Sequence, residues 1–435
     1  MANANTNAPV KTMRPVYIAG AARVPFAKSR TNYRKVETQQ LMSASLNHLV
    51  YQNNLQGKIL GDVALGAVMN SSIDWGIARD VVLGSPLHPS TPAYFIQRAC
   101  GTSLDATLQI ALRISAGQIE TGVAGGFDTN SDLPIQFPRS FAEKILNLSD
   151  APGAIQKLMK GFSFGFQDFK PRFPAVQEPR TGLSMGEHCE LMVKEWHITR
   201  EAQDQLAFLS HHNAAKAYEE GFFKDLVFEF QGITQDTMVR KDTSLEKLAK
   251  LRPAFDKSPS GTLTAGNSSP LTDGSSTVLL CSEDGLKELN TKPWARFVDA
   301  QVAAVDFVHG DGLLMAPTRA VPKMLERNGL TLQDFDYYEI HEAFAGQVLC
   351  TLAAWESADY CKKQLGLDKP LGSLDRGKLN VKGSSVALGH PFAATGARIV
   401  GSLSKLLRGT QGKRGLISIC TAGGMGVVAI VESVD

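Results

Sequence analysis

An α/β fold is what this chain of 435 residues predicts, and three observations predict it. Short β-like runs alternate with helix-like runs. The two ends of the chain follow one plan: strand, reactive-looking turn, helix, strand, Gly turn. The middle, residues 131 to about 250, breaks that plan with many Pro, Phe and charged residues and few strand signals, as an inserted or loop-rich region would. A chain of this length exceeds a single hydrophobic core, so it needs two or three domains or one duplicated unit with an insertion.

The elements follow in order. "PVYIAGA" and "DVALGAVM" read as strands, and "AYFIQRA" as a third that runs into Cys100. From Leu104 the apolar positions Leu104, Leu108, Ala111 and Leu112 recur at helical spacing. "GVAGGFD" is a strand ending in a Gly turn. In the insertion, "AIQKLMKGFSFGFQDFKPRFP" sets five Phe among four Lys or Arg and one Asp. It reads either as a Phe-anchored loop packed on the body or as a basic aromatic surface. Such a surface, over 155–173, would touch a membrane or partner subunit or guide an anionic substrate. The last third begins with "ARFVDAQVAAV" and "YYEIHEA". After "GHPFAATG", Ile399, Val400, Leu403, Leu406 and Leu407 mark a second helical face. "GLISICTAGGMGVVAIVES" reads as two strands joined by a Gly-rich turn. Overlaying the strand orders of the two ends tests whether they are an ancient duplication.

Composition narrows the class. Hydrophobic residues make up 43% and charged residues 20%, an ordinary balance for a folded soluble chain. The net charge of +2 gives no reason to expect nucleic acid. Six cysteines with no CxxC among them match neither a secreted disulfide framework nor a zinc site; they read as free thiols in a reducing compartment. The start, "MANANTNAPVKTMRP", is polar and reads as disordered. It lacks the apolar core of a signal peptide and is poor in Arg and Ser for a transit peptide. No apolar run approaches the roughly 18 residues that span a bilayer. "ESVD" is no SKL-type address. A cytoplasmic protein is the expectation.

Four stretches carry candidate chemistry. In "CGTSL", a helix beginning just after Cys100 would favour a thiolate, and its N–H groups could hold an oxyanion. Taken alone, Cys100 reads more readily as a small buried hydrophobe than as a nucleophile. In "YYEIHEAFAG", His341 ends a strand, where α/β sites collect; a satisfied buried histidine is the plainer reading, and zinc fails for want of the second His of HExxH. In "SSVALGHPFAATGARI", Gly389 and Pro391 hold His390 in a rigid turn, suited either to a base beside a nucleophile or to a structural cap. In "SICTAGGMG", Cys420 ends a strand and the glycines let the backbone approach a ligand; nothing there forms a phosphate loop. Together they suit a reaction with two thiols and two imidazoles. One thiol stores an acyl group as a thioester and the other moves protons.

"CGTS", "HEAF", "GHPxxATG" and "CTAGGMG", in that order, with "GLSMGEH" at 182 to 188 and "TAGNSSPLTDG" at 264 to 274, resemble the thiolase family from about residue 15 to the end. The HEAF form is similar to the fatty-acid β-oxidation branch, the trifunctional-enzyme β-subunit type. The resemblance implies duplicated βαβαβ halves in a five-layer α-β-α-β-α arrangement with an inserted loop domain. The expected division is a disordered lead 1–14, a first half from 15–130 and 251–288, the insertion 131–250, and a second half 289–435. It implies thiolysis of 3-ketoacyl-CoA by CoA, with no permanently bound cofactor and no metal, and homodimers or homotetramers. A hydratase/dehydrogenase chain is a further expected partner.

Carried over by motif, Cys100 would be the nucleophile, His390 its base and Cys420 the second proton carrier. His341 and His390 would form one oxyanion hole, and the N–H groups of Cys100 and Ala422 the other. Met185 would line the acyl or pantetheine region, Ser269 would lie near the pantetheine amides, and Arg252 near the CoA phosphates. A cysteine's ordinary pKa of about 8.5 lets one thiol donate and accept within a cycle. Many relatives have Gly where this chain has Ser103, Ala393 and Ala422. At Ala422 a Cβ is tolerable if φ stays negative.

Three alternatives stay open. A biosynthetic acetoacetyl-CoA thiolase runs the same path in reverse. A decarboxylating ketoacyl synthase pairs Cys with two His but lacks the second Cys, so Cys420 argues against it. An inactive scaffold subunit would not need the intact set of Cys100, His341, His390 and Cys420.

Overall fold

The run that opens the first half, VYIAGAAR, is strand β1 (Val16–Arg23) of the computed structural model, which describes residues 13–70, 72–174 and 176–434. Most of the lead expected to be disordered, residues 1–12, lies outside the described residues. Nine further strands follow: β2 (Ala27–Lys28), β3 (Asp62–Gly66), β4 (Ala93–Phe95), β5 (Thr121–Asp128), β6 (Thr272–Cys281), β7 (Ala295–Ala304), β8 (Tyr337–Ile340), β9 (Arg414–Thr421) and β10 (Met425–Glu432). They order as β4-β3-β5-β6-β1-β7-β10-β9-β8, with β2 on β6.

Read from the outer edge inward, the first half runs β4-β3-β5-β6-β1 and the second β8-β9-β10-β7. The pairing senses agree too. β3·β5 and β8·β9 are parallel, while β5·β6, β6·β1, β9·β10 and β10·β7 are antiparallel. The strand orders therefore match, which is the outcome a duplication requires. Among the described residues the second half has no counterpart of the two-residue β2, nor of the edge strand β4. There a single parallel bridge, Tyr338 to Leu379, marks the place. The amide of Asn380 then closes the edge of β8: the Ile340 N–H donates to its Oδ1 at 2.9 Å and its Nδ2 donates to the Ile340 carbonyl at 2.9 Å.

Residue alternation sorts the core into layers. In β6, Val278 and Leu280 face a central cluster, while Leu279 and Cys281 face an outer one with helices Thr38–Gln52 and Ile77–Leu83. In β9 and β10, Ile417, Ile419, Val427 and Ala429 face the central cluster. Leu416, Val428 and Ile430 face the opposite outer cluster, with helices Ala316–Asn328 and Ala345–Glu356. The central layer consists of helices Thr102–Ser115 and Thr395–Leu407, which pack on each other. Helix, sheet, helices, sheet, helix is the expected five-layer arrangement. β3, β5 and β6 are buried at every position because both faces are covered.

Two readings of the sequence are corrected. Leu112 was expected on the buried face of the first central helix, but it is 45% exposed, while Ile110 and Ile114 are buried. The helix meets the sheet through a face turned toward those two residues, so periodicity found an apolar stripe and misjudged its centre. The insertion is also less loop-like than its composition suggests. It carries helices Arg139–Ser149, Ala154–Gly161, Met185–Glu195, Arg200–Glu219 and Leu245–Ala249. Three of them start at a side-chain cap, on Ser184, Thr199 and Ser244. The packed-loop reading of the Phe-rich stretch fails: Phe162, Phe166, Phe169 and Phe173 are all exposed, and no residue of helices Arg139–Ser149 or Ala154–Gly161 is buried. No described helix is long and apolar enough to cross a membrane.

Candidate active site

The duplication brings two strand-turn-helix junctions face to face. In the first half the chain leaves β4, crosses Ala99 at a φ of 43°, presents Cys100 and enters the helix at Thr102. Thr102 locks this turn: its hydroxyl donates to the Ala99 carbonyl at 2.7 Å and accepts the Arg98 N–H at 2.8 Å. The left-handed Ala99 costs energy that the lock offsets. Gly101 has no room for a Cβ, which would crowd Val427 and Thr421.

In the second half, Gly389 has a φ of 103° and His390 follows. The His390 N–H donates to Thr272 Oγ1 at 2.8 Å, and its Nδ1 lies 2.6 Å from Thr395 Oγ1 at the start of the second central helix. The two junctions interlock. The Ala397 N–H donates to Ser103 Oγ at 2.8 Å, and a Cβ on Gly126 or Gly396 would run into the backbone of Ala393 or Leu104. Ser103 thus bonds one central helix to the other.

His341 follows β8, and its N–H donates to the Ser418 carbonyl at 2.8 Å. The His341 and His390 rings lie 4.1 Å apart at 48°. Cys100 Sγ and one ring nitrogen of each histidine lie within 4.8 Å of one another. Both Nδ1 atoms are engaged by hydroxyls, and both Nε2 atoms are buried without a hydrogen-bond partner. The free nitrogens are therefore the ones available to a bound molecule. These three donors are a set a soft cation could use, one short of the four ligands of a closed zinc site.

Burial sets the charge states. Desolvation pushes the Cys100 thiol up to about 12, opposed by the N–H groups of Ala422 and of Cys100 itself and reinforced by the Asp128 and Glu178 charges. Desolvation, with Arg398 behind it, lowers His390 to about 3. His341 falls well below its ordinary value through burial, then His390, then Arg398. Cys420, at the end of β9, rises through burial and then through Cys100. The resting site is neutral: two thiols and two uncharged imidazoles.

The N–H groups of Ala422 and Cys100 both favour the thiolate form of Cys100. Ala422 is not among the residues of positive φ, so its Cβ is accommodated. The turn past it uses Gly423 and Gly424 at φ of 75° and 66°, and the Gly423 N–H donates to buried Glu178 at 2.6 Å. Met185 packs against the cluster that holds Cys420 and Phe344. The Ser269 N–H donates to the Ala343 carbonyl at 2.9 Å, beside the HEAF turn. Arg252 is exposed and forms no hydrogen bond or ion pair with these residues among the described residues.

The sequence reading gave no role to several site residues, although Thr395 stands inside GHPxxATG itself. Thr395 and Ser385 back the two imidazoles, and Arg398 backs Ser385. Asp128 accepts the N–H groups of Val68, Met69 and Ala393; burial raises its carboxyl to about 7. Thr395 could have been found as the hydroxyl nearest His390 in the sequence. Arg398 could not, because it lies in a helix that reads as apolar.

Comparisons agree with this geometry. Residues 16–284 match the thiolase N-terminal domain and residues 291–433 the thiolase C-terminal domain. A protein named 3-ketoacyl-CoA thiolase from Shewanella sp. (strain W3-18-1) is 39% identical over 423 residues, 96% of either chain. The crystal structure of Bacillus anthracis acetyl-CoA acetyltransferase superposes with a TM-score of 0.80 at 32% identity, over 98% of this chain and 100% of that one. Human mitochondrial 3-ketoacyl-CoA thiolase in complex with CoA does so at 0.80 and 27%, over 97% of this chain and 98% of that one.

Proposed function

This chain belongs to the thiolase family and is an acyltransferase that cleaves 3-ketoacyl-CoA with CoA; from that premise we propose how its residues divide the work. The observation that carries the proposal is the convergence of Cys100 with His341 and His390 within 4.8 Å. Cys100 attacks the 3-keto carbonyl and its proton passes to His390 Nε2. The developing oxyanion accepts hydrogen bonds from the site. The C2–C3 bond breaks, the acyl group stays on Cys100 as a thioester, and Cys420 protonates the departing acetyl-CoA carbanion. Cys420, now a thiolate, takes the thiol proton of CoA. The CoA sulfur attacks the thioester, and Cys100 leaves and recovers its proton from His390. The resting neutral pair fits this order, because the thiolate forms only as the carbonyl arrives to take up charge.

CoA is the co-substrate of the family. Met185 and Ser269, beside Cys420 and the HEAF turn, are proposed to line the acyl and pantetheine path, and exposed Arg252 to meet the CoA phosphates. We assign 15–130 with 251–288, 131–250 and 289–435 to the first half, the insertion and the second half. A β-oxidation role, a cytoplasmic setting, a homodimer or homotetramer and a hydratase/dehydrogenase partner complete the reading. The six free cysteines support the compartment. The exposed Ile155, Leu158, Met159, Phe162 and Phe166 support a partner chain at 155–173.

The test is trapping. Mixing the enzyme with a 3-ketoacyl-CoA in the absence of CoA should leave an acyl mass increment on the peptide containing Cys100. Cys100→Ser should lose both the adduct and thiolysis, by about a thousandfold or more. An adduct elsewhere, or near-normal thiolysis by the variant, would remove the proposal.

A further inference from the structure

Both imidazoles are backed by a hydroxyl, yet the two hydroxyls are not equivalent. Ser385 Oγ lies 2.8 Å from His341 Nδ1, and it also receives Nη2 of Arg398 at 2.7 Å. A guanidinium only donates, so Ser385 accepts from Arg398 and its own hydrogen is free to point at His341. Thr395 Oγ1, 2.6 Å from His390 Nδ1, receives no such donor among the described residues. It can accept.

We propose that Arg398 and Ser385 are positioning residues that hold His341 as the Nε2–H tautomer, while Thr395 lets His390 keep its proton on Nδ1. The two neighbouring imidazoles then present opposite functions to the same space. His341 offers an N–H, suited to a carbonyl oxygen or oxyanion; His390 offers a lone pair, suited to the Cys100 proton. This rests on the roles proposed above for the two rings, and it explains how one site holds a donor and an acceptor on chemically identical side chains.

The surroundings favour the arrangement. Arg398 is buried in the second central helix and is held by groups that do not compete for the Ser385 hydrogen. Its Nη1 lies 4.0 Å from Glu339, and both Nη atoms reach Ser384 Oγ at 3.4 Å. Ser385 and His341 are fully buried, out of reach of bulk solvent. With Nδ1 taken, the Nε2 of each ring is the atom left unpartnered. A tautomer error at His341 would put two lone pairs in front of an oxyanion.

The experiment reads the tautomers directly. Protein labelled with 15N histidine, followed by long-range 1H–15N correlation, distinguishes protonated from unprotonated ring nitrogens. His341 should show Nε2–H and His390 Nδ1–H, each assigned by its own His→Gln variant. In Ser385→Ala, His341 should become a mixture or switch to Nδ1–H. Thiolysis kcat should fall by about ten- to a hundredfold with KM little changed, since one oxyanion donor is weakened rather than removed. Ser385→Thr should restore both. Nδ1–H at His341 in the unmodified protein would overturn the proposal, as would an unchanged tautomer in Ser385→Ala. Because the spectrum needs no turnover, failure here leaves the Cys100 trapping result standing, and the reverse also holds.

Discussion

The two halves share a strand order but not a division of labour. At the junction after β4, the first half presents a thiol, Cys100, directly before its central helix. At the matching junction after the Tyr338–Leu379 bridge, the second half presents an imidazole, His390. The end of β5 in the first half carries Asp128, whose carboxyl gathers three backbone N–H groups and reaches across to Ala393 beside His390. The end of β9 in the second half carries Cys420, whose thiol stays free. One copy of the plan became nucleophile and brace; the other became two imidazoles and a second thiol. A duplicated fold makes this possible, because matching junctions meet at the centre and each presents its own side chain to the shared site. The teaching is that symmetry supplies proximity and asymmetry supplies chemistry.

The largest expected effect comes from forcing the halves apart. Gly126 of β5 lies under the Ala393 backbone of the opposite half, where a Cβ has no space. Gly126→Ala should destabilise the fold by about 3 kcal/mol, the upper end of overpacking costs, and should lower activity further by displacing the His390 turn. Gly161, in the exposed insertion helix, has nothing within 4 Å of its virtual Cβ. Gly161→Ala should be neutral or slightly stabilising. Urea midpoints measure both. Similar midpoints for the two variants would mean that the interlock of the halves does not hold the molecule together.

A middle-sized effect separates the halves by pH. In the second half, burial lowers His390 from 6.5 to about 3. The unfolded chain takes that proton first, so this contribution is complete above about pH 6.5 and is lost as pH falls toward 3. In the first half, burial raises Asp128 from 3.8 to about 7. The folded state holds a proton that the unfolded chain releases, so this contribution is complete below about pH 4 and is lost as pH rises through 7. Between pH 7 and 4 the two residues pull stability in opposite directions. Asp128→Asn should make the melting temperature fall more steeply on acidification, and His390→Asn should make it fall less. Parallel pH curves for both variants and the parent would contradict the assignment of these charge states.

Much of this was legible in the sequence because it is local. Strands such as Val16–Arg23 and Thr121–Asp128 follow from apolar runs bounded by turn residues, and Cys100, His341, His390 and Cys420 stand in short motifs. What stayed hidden depends on which face meets which neighbour. Leu112 belongs to an apolar stripe yet faces outward. Arg398 sits in a helix whose other residues are mostly apolar, and only the fold shows that Ser385 and Glu339 surround it. The shrunken edge of the second half was hidden as well, since the Asn380 amide does the work of a strand without a strand's pattern.

Ser103 is the smallest and sharpest probe of the comparison, because it touches both halves and neither reacting pair. Its hydroxyl accepts the Ala397 N–H across the central layer at 2.8 Å, at a helix start where backbone N–H groups lack partners within their own helix. Ser103→Ala keeps the helix-forming backbone and removes only that acceptor. The buried N–H is then left unpaired, which should cost about 1 to 2 kcal/mol. Thiolysis should stay close to the parent value at temperatures where both proteins are folded, because Cys100 is held by the Thr102 lock and not by Ser103. Stability equal to the parent would show that helix packing alone joins the halves. A large loss of kcat with stability retained would instead make Ser103 part of how Cys100 is aimed, and the division between brace and chemistry would have to be redrawn inside the first half itself.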